Sequence, residues 1–115
     1  MSDSSTNLAL PFIQPSQAQK HVTHNEAIAR LDVLTQLAVV AFDAATPPAA
    51  PVEGAAYALG TAPTGAWAGQ GGTVAAFQNG GWVFITPRAG WIAVAADTGR
   101  LRVMTPTGWR TPIFD

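Results

Sequence analysis

Thr73-Val74-Ala75-Ala76-Phe77-Gln78-Asn79-Gly80-Gly81-Trp82-Val83-Phe84-Ile85-Thr86 decides the fold class. Two runs of β-branched, aromatic and small apolar residues flank Asn79-Gly80. That dipeptide suits a two-residue hairpin turn because both of its central residues can take positive φ. The stretch therefore predicts an antiparallel pair near residues 73–77 and 82–86. Further short runs lie at 56–59, 91–95 and 101–104, with Asp97-Thr98-Gly99 and Thr105-Pro106-Thr107-Gly108 as turns. Gly81-Trp82, Gly90-Trp91 and Gly108-Trp109 repeat one device: glycine closes a turn and tryptophan opens the next strand. Three copies are too few for a solenoid. The second half reads as a small antiparallel β-meander of short strands over about residues 55–110.

Towards the N-terminus the period changes. Residues 44–51 hold three prolines and four alanines and serve as a connector. Before them, helices are expected over about residues 16–38. Pro15 suits a first helical turn, and Thr23 with Glu26 has the spacing of a capping box. Ala27, Ile28, Leu31, Leu34 and Ala38 then fall on one helical stripe, while Val33 and Leu37 fall off it. A helix apolar on more than one side needs more than one cover, and a neighbouring subunit is one candidate. Val39-Val40-Ala41-Phe42 reads as a short strand. Residues 1–14 read as an extended arm carrying Leu8, Leu10, Phe12 and Ile13 around Pro11. The fold class expected is α+β: the arm, then a single domain over residues 15–115.

Charge is the scarce resource in this chain. Its 115 residues carry six Lys and Arg and seven Asp and Glu, for a net charge of −1. Average usage would give about 29 charged side chains to a chain this long. Residues 54–87 contain no Asp, Glu, Lys, Arg or His at all. A basic surface for nucleic acid is excluded. With no cysteine there is no disulfide framework and no thiolate chemistry. No apolar run approaches the length of a membrane-spanning helix, and the first residues lack the basic region of a signal peptide, so no membrane insertion is expected. Surface this short of charge is often surface meant for another protein.

Few residues invite chemistry. His21 and His24 lie three apart, with Glu26 after both, which is not the zinc-protease arrangement. Asp32 and Asp43 are lone carboxylates with no partner visible in the sequence. No nucleophile elbow and no phosphate loop occur, and Gly69-Gln70-Gly71-Gly72 reads as a plain loop. No catalytic residue, metal ligand or cofactor is expected. The four tryptophans Trp67, Trp82, Trp91 and Trp109 form a candidate glycan platform, with Gln70, Gln78 and Asn79 available for sugar hydroxyls; the competing reading is that these rings are packing filler.

One run is distinctive: Leu10-Pro11-Phe12-Ile13-Gln14-Pro15-Ser16-Gln17-Ala18-Gln19-Lys20-His21-Val22-Thr23-His24-Asn25-Glu26-Ala27, followed by Arg30-Leu31-Asp32. With Glu53-Gly54-Ala55-Ala56-Tyr57, Thr64-Gly65-Ala66-Trp67-Ala68-Gly69, Gly81-Trp82 and Gly90-Trp91, it resembles a domain family of alphaproteobacterial prophages and gene transfer agents, over about residues 8–109. Members of that family look like virion components of tail fibres and head spikes. The resemblance implies a structural protein of a phage-like particle, assembled in the host cytoplasm and acting in host attachment. It names no catalytic residue.

The expected function is a base or adaptor that mounts a head spike or tail fibre, its partners being capsid or tail protein, spike or fibre protein, and copies of itself in a ring or trimer. The candidate interface residues are Leu10, Phe12, Ile13, Val33, Leu37, Ile113 and Phe114. The chain's end at Asp115 suggests that the distal fibre is another polypeptide. The alternative is a carbohydrate-binding module for host surface polysaccharide. An enzyme is not expected, because glycoside hydrolysis needs paired carboxylates that this chain does not present.

Overall fold

A computed structural model of the chain describes residues 3–12, the backbone of 20–23 and residues 24–113 in full. The chain divides into two compact units, one up to Gln36 and one from Leu37 onward.

In the first unit a single helix, α1 (Lys20–Leu34), runs unbroken through Thr23. Thr23 and Glu26 are therefore helix interior, not a helix start. Residues 13–19, which hold the expected entry at Pro15, lie outside the described residues. The helix ends at Leu34 rather than near Ala38. Its buried side is also not the predicted stripe. Asn25, Asp32 and Val33 are buried and Ala29 half-buried, a spacing of i, i+4, i+7 and i+8 that marks one helix face, whereas Leu31 is exposed. Residues 3–12 do not extend. They fold into a hairpin-like turn closed by the Ser4–Pro11 bridge, with the Ser5 N–H donating to the Leu10 carbonyl at 2.9 Å and the Phe12 N–H to the Asp3 carbonyl at 2.9 Å.

The second unit holds two sheets instead of one meander. Strands β2 (Ala56–Ala58), β3 (Val74–Gln78) and β4 (Gly81–Ile85) form an antiparallel sheet in the order β2-β3-β4. Strands β1 (Ala38–Val39), β5 (Ile92–Ala95), β6 (Leu101–Thr105) and β7 (Gly108–Arg110) form the other, in the order β1-β5-β6-β7. β1 runs parallel to β5, a pairing the meander reading did not contain. Beyond β1 the chain crosses to the other sheet. The Val40 N–H donates to the Ala56 carbonyl at 2.8 Å, the Ala58 N–H to Ala41 at 3.0 Å and the Ala44 N–H to Ala58 at 3.0 Å. One extended segment thus borders both sheets. Between β4 and β5, Pro87 has no N–H to offer a ladder, and the chain changes sheet there.

The hairpin forms where Asn79-Gly80 places it, with φ of 53° and 77°. The uncharged stretch 54–87 supplies much of the core, while its loops stay exposed. Val74, Ala75 and Ala76 are fully buried, as are Ala58 and Trp67. β3 is covered on both faces, which is why it alternates nothing and uses small side chains. The Gly69–Gly72 run is needed for a close approach. A Cβ on Gly71 would lie 2.7 Å from the Thr61 carbonyl oxygen.

Candidate functional site

Three carboxylates hold distant parts of the chain together. Asp32, only 1% exposed, accepts the Ser5 hydroxyl at 2.5 Å, the Asn7 N–H at 2.9 Å and the Leu8 N–H at 2.7 Å. It lies in the last turn of α1, the unfavourable end of the helix dipole for an anion, and the three donors offset that cost. This is why the N-terminal segment folds instead of extending. Glu53 accepts the N–H groups of Asn79 at 2.6 Å and Gly80 at 3.4 Å, capping the β3–β4 turn from 26 residues away. Asp43 pairs with Arg102 at 3.2 Å, and the Arg102 guanidinium lies 4.5 Å from the centroid of the Phe42 ring. Phe42 in turn meets Trp109 edge-on at 5.7 Å. None of these partners is near in sequence, so nothing in the local pattern announced them.

The tryptophans do not form one platform. Trp67 is delivered by a single 3₁₀ turn (Gly65–Trp67) into a cluster with Leu59 and Ala75, where it is fully buried. Tyr57 packs at 5.1 Å and Trp82 at 5.2 Å from its ring, and Phe77 stands 5.1 Å from Trp82. Trp67 is therefore buried among these rings and presents no exposed face. Trp109 belongs to the other sheet, with Phe42. Trp91 is half-buried before β5, its carbonyl accepting the Met104 N–H at 2.8 Å.

The candidate interface residues also separate. Val33 and Leu37 are 2% and 6% exposed, already covered within the chain, so neither needs a second subunit. Leu10 and Phe12 are half-buried and Ile113 is exposed, while Ile13 and Phe114 lie outside the described residues. The strongest candidate surface was not singled out by sequence. The register pairs Val94 with Ala38 and Leu101, and Val103 with Ile92 and Arg110. These residues share one face of the β1-β5-β6-β7 sheet, since side chains alternate along each strand. The opposite face carries the buried Val39, Ala93, Ala95 and Met104. An antiparallel sheet with one buried face normally presents polar residues on the other. Here the outer face is aliphatic except for Arg110 at its β7 edge, with Ile92 58% and Leu101 48% exposed and Val94 and Val103 half-buried. The runs 91–95 and 101–104 carried the signal, because every residue in them except Arg102 is apolar.

Among the described residues no group of three His, Asp or Glu side chains is placed to hold a metal ion, and no helix is long and apolar enough to cross a membrane. His24 is exposed on α1. The glutamate, tyrosine and tryptophan of the Glu53-Gly54, Tyr57 and Trp67 motifs all serve packing or turn capping. In comparisons with known proteins, no curated protein and no solved structure matches the chain. A family model does match, over residues 24–110, taking in most of α1, both sheets and the connector between them. The chain belongs to that family, DUF2793, described as proteins of unknown function.

Proposed function

We propose that this protein is a structural component of a phage-like particle, an adaptor that mounts a head spike or tail fibre and works as a homo-oligomer. The observation that carries the reading is the outer face of the β1-β5-β6-β7 sheet. It sets Ala38, Ile92, Val94, Leu101 and Val103 side by side, on a chain with few charges to keep such a face in water. The resemblance of residues 10–32 to virion proteins of prophages and gene transfer agents supplies the context in which that face has a use. Symmetric particles repeat each subunit around an axis, so one apolar face per copy serves either a ring or a fibre seat.

The experiment is particle incorporation with single surface substitutions. Ile92→Glu and Leu101→Glu should leave the isolated protein folded by circular dichroism and remove it from purified particles. An image reconstruction of wild-type particles should find the protein at the base of a spike or fibre. Normal incorporation of both variants, or a location away from any spike or fibre, would overturn the proposal.

A further inference from the structure

We infer that the free edge of β4 (Gly81–Ile85) is a self-association site, where a second copy of the chain pairs its own β4 antiparallel across a two-fold axis. Register shows which backbone groups that edge offers. Phe77 turns both of its groups away from β4, its N–H donating to the Ala55 carbonyl at 2.9 Å and its carbonyl accepting the Gly54 N–H at 2.8 Å. The Thr73 carbonyl likewise accepts the Leu59 N–H at 2.9 Å. In the β3–β4 ladder Trp82 is the partner of Phe77 and Phe84 of Ala75, and Thr86 continues the register opposite Thr73. Antiparallel strands exchange bonds at every second pair, so Trp82, Phe84 and Thr86 point their N–H and C=O groups away from β3. Among the described residues no backbone hydrogen bond reaches these groups.

The other sheet edges are protected. Residues 40–44 cover β2 through the N–H bonds of Val40, Ala44 and Ala58. β1 is two residues long, and β7 is three, ending in Arg110 with Pro112 just beyond. Short length, charge and proline are devices that keep an edge from pairing. β4 has none of them: it is five uncharged residues, with Gly81 and Val83 exposed and Trp82 and Phe84 half-buried. An unguarded edge calls for another strand, and the flanking charges say which. In a two-fold pairing centred on Phe84, Trp82 faces Thr86 of the second copy, Val83 faces Ile85, and Gly80 faces Arg88. Pro87 falls where its N–H would point to β3, so the new ladder loses nothing by it. Arg88 is exposed and makes no ion pair among the described residues. The turn it meets is capped by Glu53, whose carboxylate accepts the Asn79 and Gly80 N–H groups. The axis therefore sets an arginine beside a carboxylate at both ends of the junction, which a parallel pairing does not do. This names a contact for the homo-oligomer proposed above and rests on that part of the reading, but it uses a surface separate from the outer face of the β1-β5-β6-β7 sheet.

The test is sedimentation velocity of the full chain from about 10 µM to about 1 mM, with amide hydrogen exchange by NMR at both ends of that range. A dimer should form, and protection of the Trp82, Phe84 and Thr86 amides should rise at least about tenfold with concentration, while the Val83 and Ile85 amides, bonded to β3, are protected throughout. Thr86→Pro removes one free-edge N–H, and Val83→Lys puts a charge on the edge. Each should weaken the dimer at least about tenfold with circular dichroism unchanged. Arg88→Glu should weaken it by an amount that shrinks as salt is added. A chain that stays monomeric throughout, a dimer whose Trp82, Phe84 and Thr86 amides remain unprotected, or one indifferent to both Thr86→Pro and Val83→Lys would each overturn the inference. Ile92→Glu and Leu101→Glu should leave this dimer intact. Self-association that they abolish belongs to the other face, and overturns the inference without touching the adaptor reading. A β4 dimer formed by a protein absent from particles would remove the adaptor reading alone.

Discussion

Replacing Asp32 by alanine should release residues 5–10 from the first unit while leaving α1 helical. The carboxylate accepts three donors from this segment, and the Leu10 N–H reaches it indirectly, through the Ser5 hydroxyl at 2.8 Å. A hydrogen bond to a charged acceptor contributes about 1.5–3 kcal/mol net. Losing three would cost more than a small unit can lose if the segment had to stay in place. A cheaper route exists. When the turn peels away, its amides meet water and each residue regains about 1–2 kcal/mol of backbone entropy. The loss is therefore capped at the opening free energy of the segment itself, for which the upper worth of one hydrogen bond to a charged acceptor, about 3 kcal/mol, sets the scale. At about 1.4 kcal/mol per tenfold, the hydrogen-exchange protection of the Asn7, Leu8 and Leu10 amides should fall about a hundredfold. Asp32→Asn keeps one acceptor oxygen at the same volume and should give an intermediate loss, and Ser5→Ala should expose the Leu10 amide most. Exchange read residue by residue by NMR separates these cases, with far-ultraviolet circular dichroism reporting on α1. Unchanged protection at Asn7 and Leu8 in Asp32→Ala would refute the reasoning. So would exchange at random-coil rates in the wild type, since the turn would then not be held.

Trp67→Ala should cost about 3–5 kcal/mol in urea unfolding, because a fully buried ring is removed from contact with Tyr57, Trp82 and Leu59. Leu37→Asp should unfold the protein rather than dissociate an assembly, by about 3–5 kcal/mol, because an unpaired carboxylate is placed at a 6% exposed position; light scattering with circular dichroism distinguishes the outcomes. Gly71→Ala should lower the melting temperature and perturb the Thr61 amide, since the new methyl meets the Thr61 carbonyl at 2.7 Å and backbone must move.

What was legible in the sequence was local. The Asn79-Gly80 turn and the strands at 56–59, 73–77, 82–86, 91–95 and 101–104 form within a residue or two of where their patterns put them, and a helix does precede the Pro/Ala connector, although it ends at Leu34 and not near Ala38. Partition of those strands between two sheets was not legible, because it depends on which strand the segment after α1 pairs with, and β1 pairs with β5 more than 50 residues away. The buried face of α1 was misassigned for a related reason. Asn25 and Asp32 are polar, so an apolar stripe was sought instead, yet Asp32 is buried to receive the donors of residues 5–8. Polar residues with long-range partners look like solvated ones until the fold is known. The glycan platform erred in the same direction. The four tryptophans part company in the fold: Trp67 sits in a 3₁₀ turn, Trp82 in the β2-β3-β4 sheet, Trp91 just before β5 and Trp109 in β7.

The shortage of charge has two sources, and only one of them calls for a partner. Part of residues 54–87 builds the interior, β3 being buried on both faces with Trp67 closing over it, while the loops 61–72 and 79–81 are mostly exposed and uncharged. Only its buried part is accounted for within the chain. Of the few carboxylates, Asp32, Asp43 and Glu53 each join segments 24 to 59 residues apart, so they act as staples more than as solvating surface. What remains unaccounted for is the outer face of β5 and β6. Sheet alternation places Ile92, Val94, Leu101 and Val103 outward, although no fold requirement demands apolar residues there. Three of the seven carboxylates bridge distant segments, and the chain still presents Ile92 and Leu101 exposed beside half-buried Val94 and Val103 on one sheet face, the observation from which the proposed partner surface is argued. Arg110, paired with Val103 at the edge strand β7, is the charge nearest in register to this face. An incoming surface that is apolar at its centre and acidic opposite Arg110 fits it best, and charge reversal at Arg110 should slow docking while Leu101→Glu abolishes it.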